Sequence, residues 1–263
     1  MAGSVLYAWA RLRGAKAPDR RHWATTTVAG GLLLLGGNGS VVWAEQRVAS
    51  GLAALLVATV PVWMVLLDTM MRGAPWPGRR AGAGLVLGFA GMALLASPSG
   101  TLGGRQVDPW GVAVLVGGSI SWAVGSIYSR MARMPESLLA TGMEMLSGGA
   151  LLLSAGLVSG EVGRFSADAV TPVSLLAFLY LIVFGSLVGF NAYIFLLGHT
   201  TPARATTYAY VNPVVALFLG WFIAGEPVTR QTVFSAAVIV IGVALIVTGQ
   251  RGGRGDPATE LRP

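Results

Sequence analysis

Cysteine is absent from the 263 residues, and histidine occurs twice, as His22 and His199. Disulfides, thiolate metal centres and the usual Cys/His zinc spacings are therefore excluded, and no metal or organic cofactor is expected. Charge is also scarce. Asp, Glu, Lys and Arg make up 11% of the chain, against roughly a quarter in an ordinary soluble domain. The lysines are a single residue, Lys16, which follows Ala15 and not a glycine, so the G-x-x-x-x-G-K-[ST] loop that cradles nucleotide phosphates cannot occur. The net charge of +7 comes from basic residues in short gaps between apolar runs. They form no stripe of the kind that tracks nucleic acid, so no nucleic-acid partner is expected and the lipid bilayer is the natural counterpart.

What the chain has in abundance is apolar residues, 54% of the total. A helix crosses the hydrocarbon core with about 20 of them. Eight stretches qualify: 28 to 48, 50 to 71, 81 to 97, 110 to 131, 137 to 159, 172 to 198, 203 to 224 and 231 to 249. The expected fold is an all-α polytopic membrane protein of about eight transmembrane helices. The opening MAGSVLYAWA adds a partial helix of about 15 Å. Its charges follow the apolar run, in RLRGAK, whereas a secretory signal carries them before it, so Met1 to Ala10 reads as the tail of a span whose front is missing.

Basic residues mark the cytoplasmic side of a membrane protein. With the N-terminus inside, that side collects fourteen of the eighteen, and the opposite side keeps Arg47, Arg105, Arg164 and Arg230, one per loop. The chain is thus expected to be multi-pass in a bacterial inner (plasma) membrane, with both termini cytoplasmic.

An internal repeat emerges when the chain is slid along itself. SGLAALLVATVPVWMVLLD at 50 to 68 lies over PARATTYAYVNPVVALFLG at 202 to 220, an offset of 152 that superposes Pro61 on Pro213. With the orientation above, the two spans run in opposite directions, which makes the repeat inverted. Inverted repeats with helix breaks near the midplane characterise many secondary transporters. A mid-span proline also frees carbonyls that a ligand can use.

Polar residues inside spans need a reason to be there. A carboxylate at the bilayer centre costs roughly 2.5 to 3.5 kcal/mol on insertion scales. Glu144 lies nine residues past Pro135, about 13 Å into its helix, with no basic neighbour. It reads either as a cavity carboxylate, binding a cationic substrate or taking up a proton, or as a group hydrogen-bonded to an adjacent helix among the small residues Ser147, Gly148 and Gly149. Asn38, Asn191 and Asn212 place amides in spans, where each must bond another helix or cavity water. Trp122, Tyr208 and Tyr210 lie mid-span and are aromatic cavity candidates. GLVLG at 84 to 88 is a G-x-x-x-G surface that serves either the fold or a homodimer.

GGNGSVVWAEQ (36 to 46), SGLAALLVATVPVWMVLLD, SWAVGSIYSR (121 to 130), GMEMLSGGALLL (142 to 153) and YAYVNPVVALFLGWFIAGEPVTRQ (208 to 231) together resemble the EamA branch of the drug/metabolite transporter superfamily. The resemblance implies two five-helix repeats of opposite orientation and the carriage of metabolites, amino acids or toxic compounds, usually outwards. It divides the chain into a partial helix and basic linker (1–27), an N-terminally shortened first repeat (28–109), a second repeat (110–249) and a polar cytoplasmic tail (250–263). The expected function is secondary export of a small molecule, by a protein that is not an enzyme. An inactive fragment produced by a mis-set start codon is the alternative. A polytopic membrane enzyme ranks last, because neither His22 nor His199 belongs to a recognisable catalytic motif.

Overall fold

The computed structural model of the chain describes residues 1–48, 50–73, 78–95, 108–166, 168, 170–200 and 230–249, with residues 205, 208, 211, 212, 214, 215, 218 and 222 besides. Among them are helices and no strand. The long elements are α1 (Ala2–Leu12), α2 (Arg20–Glu45), α3 (Ser50–Val57), α4 (Val60–Arg72), α5 (Arg79–Leu95), α6 (Pro109–Met131), α7 (Ser137–Val158), α8 (Pro172–His199) and α9 (Arg230–Gly249). Among the described residues α2, α6, α7 and α8 are long and apolar enough to cross a bilayer, and α4 and α9 carry the shorter apolar stretches Val60–Met71 and Val233–Ile246. The chain is an all-helical, multi-pass membrane protein. Most of the expected span 203 to 224 lies outside the described residues.

Local chemistry sets the helix starts. Asp19 caps α2 in a reciprocal box: its carboxylate accepts the His22 amide at 2.7 Å, and its own amide donates to the His22 ring at 3.4 Å. The first span therefore begins at Arg20, eight residues earlier than apolarity alone predicts, because a satisfied N-cap outweighs the polar first turns. Thr171 caps α8 through the Ser174 amide at 3.1 Å. At the far end of α4, Gly73 takes a left-handed φ of 63° and returns its amide to Thr69, the usual glycine stop.

Two helices widen in mid-course. Gly31–Asn38 within α2 and Leu181–Phe190 within α8 are π-helical. The 152-residue offset that superposes Pro61 on Pro213 also carries Asp19 onto Thr171, Arg20 onto Pro172, and the α2 π segment into the α8 one. It brings the start of α5 to within one residue of the start of α9.

The span expected over 50 to 71 is two helices, α3 and α4, parted at Ala58 and Thr59, with Pro61 in the first turn of α4. Proline is tolerated there because its missing N–H falls among the amides that have no intrahelical partner.

The chain forms two compact units, residues 1–39 with 124–200 and residues 40–123 with 201–263. In the first, α7 packs against α1, α2 and the end of α8, with Ala10, Ala15, Leu139 and Met143 forming a buried cluster. Glycines set the spacing. A Cβ on Gly142 would lie 2.7 Å from the Tyr7 amide of α1, and one on Gly148 would lie 2.7 Å from the Gly30 carbonyl of α2. In the second unit α5 lies along α9. A Cβ on Gly84 would meet the Gly242 carbonyl at 2.6 Å, and one on Gly242 would meet the Gly88 amide at 2.7 Å. The G-x-x-x-G surface is thus occupied within the chain, which removes the motif as a reason to expect a homodimer.

Candidate functional site

The sequence candidates fall in both units. Asn38, Glu144 and Asn191 belong to the first, and Pro61, Trp122, Tyr208 and Asn212 to the second. Tyr210 and Pro213 lie outside the described residues.

Asn38 is the last residue of the α2 π segment, and Asn191 is the residue that follows the α8 segment. A turn closed at i+5 leaves the carbonyl pattern of the α-helix locally open, and such turns recur at functional sites. Asn38 is exposed and Asn191 half-buried. Asn38 lies seven residues from the end of α2, about 10 Å, within the depth of the hydrocarbon. An amide left in lipid without a partner is costly, so at this depth Asn38 calls for water or another polar group beside it.

Glu144 is differently placed. It is 1% exposed, too enclosed to line a cavity in this conformation. Ser129 of α6 donates to its Oε1 at 3.2 Å, and its Oε2 has no hydrogen-bond partner. One turn on, the Ser147 hydroxyl donates to Met143 O at 2.7 Å and reaches Thr26 O of α2 at 3.2 Å. The Glu144 backbone itself sits at the α2–α7 crossing, where a Cβ on Gly30 would collide with its carbonyl oxygen. The cavity-facing reading of Glu144 gives way to a buried one, because Gly30 and Gly148 draw the two helices too close to leave room beside it.

The C-terminal half of α6 supplies the polar contacts that composition did not single out. The Ser126 hydroxyl and the Tyr193 phenol of α8 are both buried and share a short hydrogen bond. The Arg130 guanidinium donates to Leu197 O at 3.0 Å and to Thr200 O. It meets the partial negative charge of the last carbonyls of α8. Ser126, Ser129 and Arg130 stand at i, i+3 and i+4, a spacing that puts them on one helix face. That spacing inside SWAVGSIYSR was the available signal. Gly125 brings the same half of α6 against Leu32 and Leu33 of the α2 π segment, where its Cβ would stand 2.9 Å from the Leu32 Cβ.

In the second unit, the carbonyl of Leu56 at the α3–α4 break accepts the Thr59 amide at 3.1 Å, the Thr59 hydroxyl at 2.6 Å and the Ser119 hydroxyl at 3.1 Å. The Trp63 indole donates to the Thr59 hydroxyl at 3.0 Å. Pro61 was expected to free carbonyls for a ligand. The carbonyl that its missing N–H leaves is that of Val57, four residues back, while the neighbouring Leu56 carbonyl is claimed internally by the Thr59 and Ser119 hydroxyls. Trp122 is half-buried, while Tyr208 and Asn212 are helical and exposed. His22, which belongs to no recognisable catalytic motif, pairs with Asp19, its ring nitrogen 3.2 Å from the carboxylate. The pair's work is to cap α2. Among the described residues no group of His, Cys, Asp and Glu is arranged to hold a metal.

A crystal structure of a protein 21% identical in sequence matches 96% of this chain and 86% of its own with a TM-score of 0.72, which establishes the fold. The uncharacterized inner membrane transporter YedA of Escherichia coli K12 is 39% identical over 255 residues, covering 95% of this chain and 79% of that protein. A protein of Streptantibioticus cattleyicolor named "Probable terminal-alkyne amino-acid exporter" is 28% identical over 223 residues, covering 84% of this chain and 71% of that protein. The model of the EamA-like transporter family matches residues 1–97 and 109–248. Widened spanning helices, a buried carboxyl and close glycine crossings thus belong to a membrane transporter, and the chain is a member of the EamA-like transporter family.

Proposed function

We propose that the chain is a secondary transporter that exports small metabolites, amino acids or toxic compounds by alternating access between two inverted repeats, residues 28–109 and 110–249. Both termini lie in the cytoplasm of a bacterium whose inner membrane holds the protein, and a proton is the coupling ion. The observation that carries this reading is the matched pair of π segments, Gly31–Asn38 and Leu181–Phe190, the first ending at Asn38 and the second followed directly by Asn191. The distribution of basic residues directs α2 outwards and α8 inwards. Asn38 then lies about 10 Å from the outer end of α2 and Asn191 about 12 Å from the inner end of α8. One amide serves each side of the midplane, as alternating access between mirrored halves requires. The exporter named among the relatives supports an amino-acid-like substrate.

The test is efflux from proteoliposomes loaded with a panel of proteinogenic amino acids and ethidium. Asn38→Ala and Asn191→Ala should each slow efflux of the compound that the wild type moves, with insertion unchanged. Failure of the wild type to move any compound, or full activity in both variants, would overturn the reading.

A further inference from the structure

Three features make Glu144 unusual among the described acidic residues. It is buried in a spanning helix with one oxygen unpartnered. Its other oxygen is held by a single hydroxyl from α6. The helix crossing around it is closed by Gly30 and Gly148 and leaves no room for a substrate cation. A proton is the one cation that needs no room.

We infer that Glu144 takes up and releases the coupling proton, that Ser129 is its positioning residue, and that residues 124–131 of α6 carry its state to α8. The inference rests on the transport reading above. Oε2 of the carboxylate gains H⁺ from water on one side of the membrane and returns it to water on the other; only that O–H bond forms and breaks. In the anion, Ser129 donates to Oε1. In the acid, Oε2 becomes a donor that requires an acceptor of its own, and Oε1, now a neutral carbonyl oxygen, holds the Ser129 hydroxyl more weakly, so the hydroxyl is freer to turn to the carbonyl four residues back, that of Gly125, as helix serines commonly bond. Gly125 touches the α2 π segment, Ser126 holds Tyr193, and Arg130 holds the end of α8. Any displacement of Ser129 therefore reaches both widened helices through rigid neighbours on one face.

The elements around α7 carry other titratable and charged groups, and none bonds Glu144. Arg11 of α1 donates to Ala15 O, and Tyr7 stands against Gly142 through its backbone. His22 of α2 pairs with Asp19, ahead of the helix; Arg20 and Arg21 belong to the same first turn. From α6 come Tyr128 and Arg130, the latter bonded to α8. From α8 come Tyr193, bonded to Ser126, and His199, bonded to Phe195 O at 2.8 Å. Glu136 and Glu161 lie at the two ends of α7, outside the span.

Infrared difference spectra of the full chain in liposomes, stepped across pH without substrate, test the site directly. The wild type should show a carboxylic C=O band that grows on acidification, that Glu144→Gln lacks, and that Glu144→Asp moves in frequency. Ser129→Ala should shift the midpoint of that band by about one pH unit, since a hydrogen bond to a charged group is removed. In the efflux assay Glu144→Gln should keep downhill counterflow and lose the part driven by a pH gradient. A band that survives in Glu144→Gln, an unmoved midpoint in Ser129→Ala, or intact pH-driven flux in Glu144→Gln would overturn the inference. A wild type that moves no compound would defeat the transport reading, while the spectra would still report on the proton site.

Discussion

Gly148 and Gly149 are neighbours in α7 with opposite surroundings. A Cβ on Gly148 would stand 2.7 Å from the Gly30 carbonyl oxygen, 2.7 Å from Leu34 Cδ1 and 2.9 Å from Leu34 Cβ; a Cβ on Gly149 would meet nothing within 4 Å. Comfortable contact begins at about 3.5 Å, so Gly148→Ala is short by about 0.8 Å. The obstructing oxygen is helix backbone, which cannot rotate aside, so relief requires α2 and α7 to part. Overpacking of this kind costs about 1–3 kcal/mol, and replacing glycine by alanine in a helix returns about 1 kcal/mol. Gly148→Ala should therefore end between neutral and about 2 kcal/mol destabilised, and Gly149→Ala about 1 kcal/mol stabilised. The propensity gain is common to both variants, so their difference isolates the clash, about 1–3 kcal/mol, or a factor of roughly five to more than a hundred in the folded-to-unfolded ratio. Reversible unfolding in mixed micelles by increasing SDS fraction, followed by tryptophan fluorescence, measures that difference. Equal midpoints for the two variants, or a more stable Gly148→Ala, would refute the close approach of α2 and α7.

Two further outcomes follow from the first unit. A double-mutant cycle of Ser126→Ala and Tyr193→Phe, read by the same unfolding, should give a coupling of about 0.6–1.7 kcal/mol, the range for interhelical hydrogen bonds in membranes; independence of the two sites would remove the α6–α8 bond. At the start of α2, the Asp19 carboxyl is held below the ordinary carboxylate range, first by the His22 amide and also by the His22 and Arg21 charges, against the opposing effect of burial. A depressed carboxyl stabilises the fold above its unfolded value of about 3.9 and ceases to as pH falls through the lower, folded value. Hydrogen exchange at the His22 amide should accordingly be protected at neutral pH and lose that protection only in strong acid, while Asp19→Ala should lose it at every pH.

Much of the fold could be read from hydropathy and punctuation. The spans predicted at 110 to 131, 137 to 159 and 172 to 198 match α6, α7 and α8 to within a residue or so at each end, because sustained apolar length admits few other structures in lipid. Pro61 announced a break, and the chain does break two residues before it. The depth of Glu144 was legible too, since burying a charge is an event in the sequence itself. Its enclosure was not, for that depends on Gly30, more than a hundred residues away, meeting Gly148. The π segments, GLLLLGGN and LIVFGSLVGF, carry no proline and no charge to mark them. Arg130 was legible as a cytoplasmic charge sharing a helix face with Ser126 and Ser129, whereas its closing of the end of α8 appears in three dimensions alone.

The two π segments also impose a rule of phase. A turn closed at i+5 takes in a residue that an α-helix would have used to advance, and one residue is about 100° of rotation. Everything downstream, including Tyr193 as it meets Ser126, points where it does because that residue is counted in. Removing a single residue from one segment would leave α2 or α8 apolar and long enough to span, yet would swing its remaining side chains by more than a quarter turn. The halves of this chain stay in step across 152 residues because both carry the same irregularity, so evolution is expected to tolerate substitutions within these segments far more readily than a one-residue insertion or deletion in either.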